Sequence, residues 1–278
     1  AALLANELHA PQQHILVAST GRIGLPLPMP QVQQGIRHAV TLLGNEAADA
    51  DAAAEAILTS DTKPKAIALE FQLGQRQVRI GGICKGAGMI QPGMSPSGRR
   101  PASLPRHATM LAFLTTDAAI EPRALQSALE TAVAQSFNRI TVDGDMSTND
   151  TVLILANGLA ENPCLTLAPA KRSRRASTPP TRPTPAHSRA FDTFQTALNH
   201  LCLELAKMIV RDGEGVHRVV TLRLSGAKSP TEADAAVRAV ANSPLVKTSW
   251  HGGDPNWGRI MDALGYSPAT IAEDQIDI

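Results

Sequence analysis

His107-Ala108-Thr109-Met110-Leu111-Ala112-Phe113-Leu114-Thr115-Thr116-Asp117 puts a threonine at the start of an apolar run, directly behind a small residue and a loop. As secondary structure, Thr109 to Thr115 reads as a strand, since apolar, aromatic and β-branched residues fit a pleated, half-buried surface. As chemistry, it is how a chain looks if it cuts itself before Thr109 and then uses the freed threonine. A threonine hydroxyl is a weak nucleophile alone. A neighbouring amine or another base activates it, and the reaction then passes through a covalent acyl intermediate. Most Ala-Thr pairs before an apolar run merely begin a strand, so the surroundings must decide.

Outward from that strand, helical and extended patterns alternate. His14 to Ala18 reads as a short buried strand, and Gln31 to Leu43 and Ala47 to Leu58 as helices. Lys65 to Leu73 and Gln77 to Cys84 alternate around Gly74, the pattern of a β-hairpin. Pro122 to Ser136 is a helix with proline in its favoured first turn. Thr151 to Ala156 is an apolar strand. Phe191 to Val210 places Phe191, Phe194, Leu198, Leu201, Leu205, Met208 and Ile209 on one helical stripe. Val216 to Leu224 reads as a strand, and Ser229-Pro230-Thr231-Glu232 as a capping box opening a helix to about Asn242. The fold class is α/β, with sheet covered by helices.

The bulk properties exclude other classes. A chain of 278 residues, 43% hydrophobic, is long enough for one large domain or two small ones. Aromatic residues make up only 3%, so the core must be built from Ala, Val, Leu and Ile. A formal charge of +1 argues against a general nucleic-acid binder. The three cysteines, Cys84, Cys164 and Cys202, are too few and too scattered for a disulfide framework or a zinc site, and suit a reducing compartment. No run approaches the ~18 apolar residues of a membrane span, and the amino-terminal residues carry no basic-then-apolar signal pattern.

Five further motifs accompany the threonine segment. They are Val17-Ala18-Ser19-Thr20-Gly21-Arg22-Ile23-Gly24, then Gly81-Gly82-Ile83-Cys84-Lys85-Gly86-Ala87-Gly88-Met89-Ile90, then Phe137 to Asp150, then Val210-Arg211-Asp212-Gly213-Glu214-Gly215, and His251-Gly252-Gly253-Asp254-Pro255-Asn256-Trp257-Gly258-Arg259. In this order, from about Ile15 to Tyr266, the chain resembles the ornithine acetyltransferase family, the bifunctional glutamate N-acetyltransferases of arginine biosynthesis. The resemblance implies an α+β layered sandwich, incomplete at both ends relative to the family, and so lacking the family's tail residues for substrate. It also implies cleavage between Ala108 and Thr109, giving an alpha-chain part (1–108) and a beta-chain part (109–278) that pair as an α2β2 heterotetramer in the cytoplasm.

The same resemblance assigns roles. Thr109 is the nucleophile, with its own freed amine as base. Thr20 and Gly21 form the oxyanion hole, through a hydroxyl and a backbone N–H; one such donor contributes roughly 10²–10³ in rate. Thr59, Lys85, Thr109 and Glu214 bind substrate, although Ser60 and Thr62 stand close enough to take the place of Thr59. Taken alone, Ser19-Thr20-Gly21 is an ordinary strand-ending turn, Lys85 a surface lysine and Glu214 a solvated acidic residue. Asp143-Gly144-Asp145 lacks the spacing of a calcium loop and reads as a turn beside the site rather than a metal centre. His251 to Asp254 reads as an interdomain loop anchored by Trp257.

The implied reaction is double displacement. Thr109 takes the acetyl group of N2-acetylornithine, releases ornithine and passes the acetyl group to glutamate. No metal or redox cofactor is needed; acetyl-CoA is a further donor in some members. The small-molecule substrates are the expected partners, with neither nucleic acid nor membrane. Two stretches rich in Arg, Pro and Ser interrupt the resemblance, 95–107 and 171–186. They cannot bury enough surface to offset their ordering entropy and read as extra exposed loops. A relaxed loop ahead of Thr109 would remove the strain that self-cleavage depends on. Two other readings therefore stand beside the transferase: an aminopeptidase-like hydrolase using the same threonine, and a catalytically silent member of the family.

Overall fold

The computed structural model describes residues 1–94, 110–167 and 185–278. Ala108, Thr109, the interruption 95–107 and residues 171–184 of the second lie outside the described residues. Ile67, Leu69 and Phe71 alternate with exposed Ala66, Ala68, Glu70 and Gln72, which makes β1 (Lys65–Leu73) a strand with one covered face. Gly74 at φ 67° turns the chain in two residues, so that Leu73 faces Arg76 and β2 (Arg76–Lys85) runs back along β1. β3 (Leu111–Thr116) pairs antiparallel with β2, and β4 (Thr151–Ala156) pairs parallel with β3, giving the order β1-β2-β3-β4.

Before the sheet come α1 (Ala2–Glu7), α2 (Met29–Thr41) and α3 (Ala47–Ala56). α2 has no buried residue, and α3 buries only Ala54. A parallel pair needs a crossover; between β3 and β4 it is made by α4 (Pro122–Gln135), which buries Ala124, Ala128, Leu129, Ala132 and Val133. The predicted apolar stripe becomes α5 (Pro185–Arg211), which packs on β1, β2 and α4. Its Phe194, Leu198, Leu201, Leu205 and Ile209 are fully buried, together with Val78, Ile80, Ala112, Leu114 and Phe137. Small residues on α4 and the sheet let these elements approach, as a core poor in aromatics requires.

A second, smaller cluster joins α6 (Pro230–Asn242), α7 (Pro244–Gly252) and α8 (Trp257–Gly265) through Ala236, Val240, Val246, Ala263 and Leu264. Half of the expected capping box is present, with Glu232 N–H donating to Ser229 Oγ at 3.2 Å. Polar contacts tie the cluster to the main body. Lys247 Nζ donates to Val142 O (2.8 Å), Thr141 Oγ1 to Asn242 Oδ1 (2.9 Å), and Arg238 to Asn138 O.

Three local expectations fail. His14 to Ala18 is not a strand: Gln12–His14 is one 3₁₀ turn, and Leu16 and Val17 stay exposed. Val216 to Leu224 has strand-forming residues but pairs with no strand among the described residues, and Val219 and Val220 are exposed. A strand needs a neighbour for its backbone groups, which propensity does not supply. His251 and Gly252 end a helix that Gly253 terminates at φ 73°, and Trp257 is exposed rather than an anchor.

Candidate active site

Lys85 is the last residue of β2, and the antiparallel register sets it opposite Leu111, the first residue of β3. The loop after Lys85 therefore runs beside the residues that lead into β3. A β-carbon on Gly86 would lie 3.7 Å from Met110 Cα. Met110 is fully buried and held from both sides by one dipeptide. Its N–H donates to Asp150 Oδ1 (3.0 Å), and its carbonyl accepts from Thr151 N–H (3.0 Å). The backbone leading out of position 109 is thus clamped by the residues that open β4.

Glu214 reaches the same corner from the end of α5. Its N–H donates to Ala87 O at 2.9 Å, and its carboxylate lies against Gly88, where an added β-carbon would meet Cδ at 2.5 Å. Gly88 is therefore the residue that lets this carboxylate approach the loop backbone. Its side chain is exposed, whereas Lys85 is completely covered. Burial pushes the Lys85 ammonium below its ordinary value; Asp61 opposes that shift, Lys65 adds to it, and Asp150 and Glu214 oppose it. Burial also raises the thiols of Cys84 and Cys202 to about 12. Neither is a thiolate nucleophile near neutral pH.

Beneath this surface lies a cluster not anticipated from the sequence. Lys65 Nζ contacts Asp61 Oδ1 at 2.6 Å and Asp212 Oδ2 at 2.5 Å, and all three side chains are at most 3% exposed. Asp61 also accepts the N–H of Gly86 (2.6 Å) and of Thr59 (3.2 Å). Asp212 accepts both the N–H (3.0 Å) and the hydroxyl of Thr62. Burial raises the pKa of both carboxyls, but the donors win. For Asp61 these are the Gly86 amide, then Lys65 and the Thr59 amide; for Asp212, Lys65 and then Thr62. Both lie below the ordinary aspartate value. One signal was available in the sequence: Lys65 stands in phase with Ile67, Leu69 and Phe71, and an inward lysine requires carboxylate partners.

The Phe137 to Asp150 motif fastens the far side of the lysine loop. The Asp143 carboxylate accepts from Met89 (2.6 Å) and Ile90 (3.0 Å), Val142 N–H donates to Ile90 O (2.8 Å), and Asn138 pairs with both backbone groups of Met94. Asp143 is thus a backbone anchor beside the site. Thr59 is exposed, and of the three candidates around it Thr62 spends its hydroxyl on Asp212. Thr20 is half-buried and Gly21 exposed. Their segment meets this corner where Asn149 Nδ2 donates to Ser19 O at 3.0 Å, one residue before Asp150. The structure therefore gathers Lys85, Glu214 and Met110, links Thr59 to them through Asp61, and brings the Thr20 segment to their edge. Ala108 and Thr109 lie outside the described residues.

The model of the ArgJ family matches residues 1–278. The glutamate N-acetyltransferase of Methanocaldococcus jannaschii is 41% identical over 278 residues, covering 99% of this chain and 60% of that protein. The arginine biosynthesis bifunctional protein ArgJ of Symbiobacterium thermophilum is 47% identical over 262 residues, 94% of this chain and 57% of that protein. The crystal structure of the ArgJ protein of Bacillus halodurans superposes with a TM-score of 0.50 at 42% sequence identity, covering 59% of this chain and 68% of that one. The chain spans about three fifths of the length of the curated relatives it matches. It belongs to the ArgJ family.

Proposed function

We propose, on the premise that this is an ArgJ-family chain, that it moves an acetyl group from N2-acetylornithine to glutamate through an acetyl-Thr109 intermediate. Cleavage between Ala108 and Thr109 frees the threonine amine, which accepts the hydroxyl proton as the oxygen attacks the acetyl carbonyl. Thr20 and Gly21 donate to the oxyanion. Lys85, Thr59 and Glu214 hold the amino-acid part of the substrate, with a carboxylate at Glu214 suited to an ammonium. Ornithine leaves, and the glutamate amine then takes the acetyl group. Acetyl-CoA, a further donor in some members of the family, is assayed beside N2-acetylornithine. Residues 1–108 and 109–278 form the two parts of an α2β2 assembly acting on these small molecules in the cytoplasm, with no metal, nucleic acid or membrane.

The observation that carries this reading is convergence on one corner. The register sets Lys85 against the start of β3, Glu214 packs on Gly88, and Asp150 clamps Met110 one residue beyond Thr109. The same corner serves a hydrolase using the same threonine, so acceptor choice separates the two. Intact mass of the protein beside Thr109→Ala is the test. Two fragments divided between Ala108 and Thr109 in the parent alone, followed by acetyl transfer to glutamate with ping-pong kinetics, support the transferase. Acetate released without glutamate acceptance supports the hydrolase, and an uncut, inactive chain overturns both.

A further inference from the structure

Asp61, Lys65 and Asp212 lie below the candidate site, with side chains at most 3% exposed. The two carboxylates nonetheless reach different parts of it, and Lys65 joins them. Asp61 Oδ2 accepts the Thr59 amide, Asp61 Oδ1 accepts the Gly86 amide next to Lys85, and Lys65 links Asp61 to Asp212. Asp212 lies two residues before Glu214, and Thr62 binds it from the Thr59 loop. These segments lie far apart in the chain, at 59–62, 85–88 and 212–214. Apolar packing places β2 against α5, but Thr59 and Glu214 are exposed, so the final setting of their loops falls to polar contacts.

We infer that Asp61, Lys65 and Asp212 form one buried positioning unit that sets the Thr59, Lys85 and Glu214 loops relative to one another for substrate binding. The inference rests on the acetyl-transfer reading. Its physical basis is directional. A buried ammonium between two carboxylates is held by desolvation and geometry together, so moving one arm strains the other two. Asp61 also lends charge to the corner above, where it is the largest influence opposing burial at Lys85.

The test uses Asp61→Asn, which keeps size and an acceptor but loses charge, with Lys65→Arg as the conservative replacement. Hydrogen exchange is read at the amides of Thr59, Gly86 and Glu214, and kinetics with N2-acetylornithine across pH. In Asp61→Asn, exchange rises together at all three amides by about tenfold, the size of one net hydrogen bond, while the amides of β3 and α5 keep their protection. KM rises more than kcat falls, and the alkaline limb of kcat/KM moves to lower pH, because Lys85 loses the carboxylate that holds its proton. Lys65→Arg stays near the parent in all of these. Exchange rising at one loop alone, or throughout the fold with KM and the alkaline limb unchanged, overturns the inference. Should Asp61→Asn fail to fold, Thr62→Val removes only the hydroxyl bond to Asp212, and faster exchange at Glu214 and Gly86 together is then the required result. A parent that transfers no acetyl group defeats the proposed function, while the exchange experiment still decides whether the unit couples the three loops.

Discussion

Two segments assigned to the same chemistry are held in opposite ways. The Lys85 loop leaves a strand inside the main core, sits on a buried ion cluster, and is fastened on its far side by Asp143 and Asn138. The Thr20 and Gly21 segment runs over the surface with Leu16, Val17, Ile23, Leu25 and Leu27 all exposed, and meets the site through Ser19 and Asn149. A charged group that must be covered gets its position from the fold. A backbone donor on an open segment gets its position from few contacts and depends on each of them. Preorganisation in this molecule is therefore concentrated on the Lys85 side of the corner.

Breaking the well-held side gives the largest effect. Lys65→Met strands two buried carboxylates and costs about 3–5 kcal/mol in denaturant unfolding; a loss below about 1 kcal/mol would place the cluster among ordinary surface pairs. The next effect is in pH. Asp61 and Asp212 titrate lower when folded than when unfolded. Their stabilisation is complete above the ordinary aspartate value of about 3.9 and disappears as pH falls through the depressed folded values. The acid limb of the stability curve is accordingly shallower in Asp61→Asn, and an unchanged limb would mean that other carboxylates govern acid unfolding.

A sharper probe leaves the cluster intact. Gly88→Ala puts a β-carbon where the Glu214 carboxylate lies. Only a flexible side-chain end must move, so thermal unfolding registers about 1 kcal/mol, the low end of overpacking costs, while on the proposed function N2-acetylornithine binding weakens. On the loosely held side, Asn149→Ala removes the bond to Ser19 and costs about 0.5–1 kcal/mol. Its clearest sign is faster proteolysis between Thr20 and Leu27 with the core unaffected. The smallest effect is Val17→Ala, within about 0.5 kcal/mol as for other exposed positions; a cost of several kcal/mol would show that this segment is buried in the working protein and would remove the contrast.

Elements with strong local signals were legible in the chain. The hairpin around Gly74, the α4 helix, β4 and the long amphipathic α5 follow from periodicity and turn residues, since each depends on neighbours in sequence. Val216 to Leu224 shows the limit: its residues favour a strand, but a strand exists only where another offers its edge. Family motifs likewise pointed to Lys85 and Glu214 but passed over Asp212, which stood in a quoted motif, and Asp61, which lies between Ser60 and Thr62.

The sequence by itself determined the long helices, the hairpin, β3 and β4, which of their faces are apolar, and which residue types could carry acyl transfer, because periodicity and side-chain chemistry are properties of adjacent residues. Only the tertiary structure decided that Lys85 faces the start of β3, that Glu214 rests on Gly88, and that Asp61 and Asp212 share Lys65. Those facts join residues up to 147 positions apart. Their cause is burial, since charged groups driven under the same surface must find one another or stay unpaired.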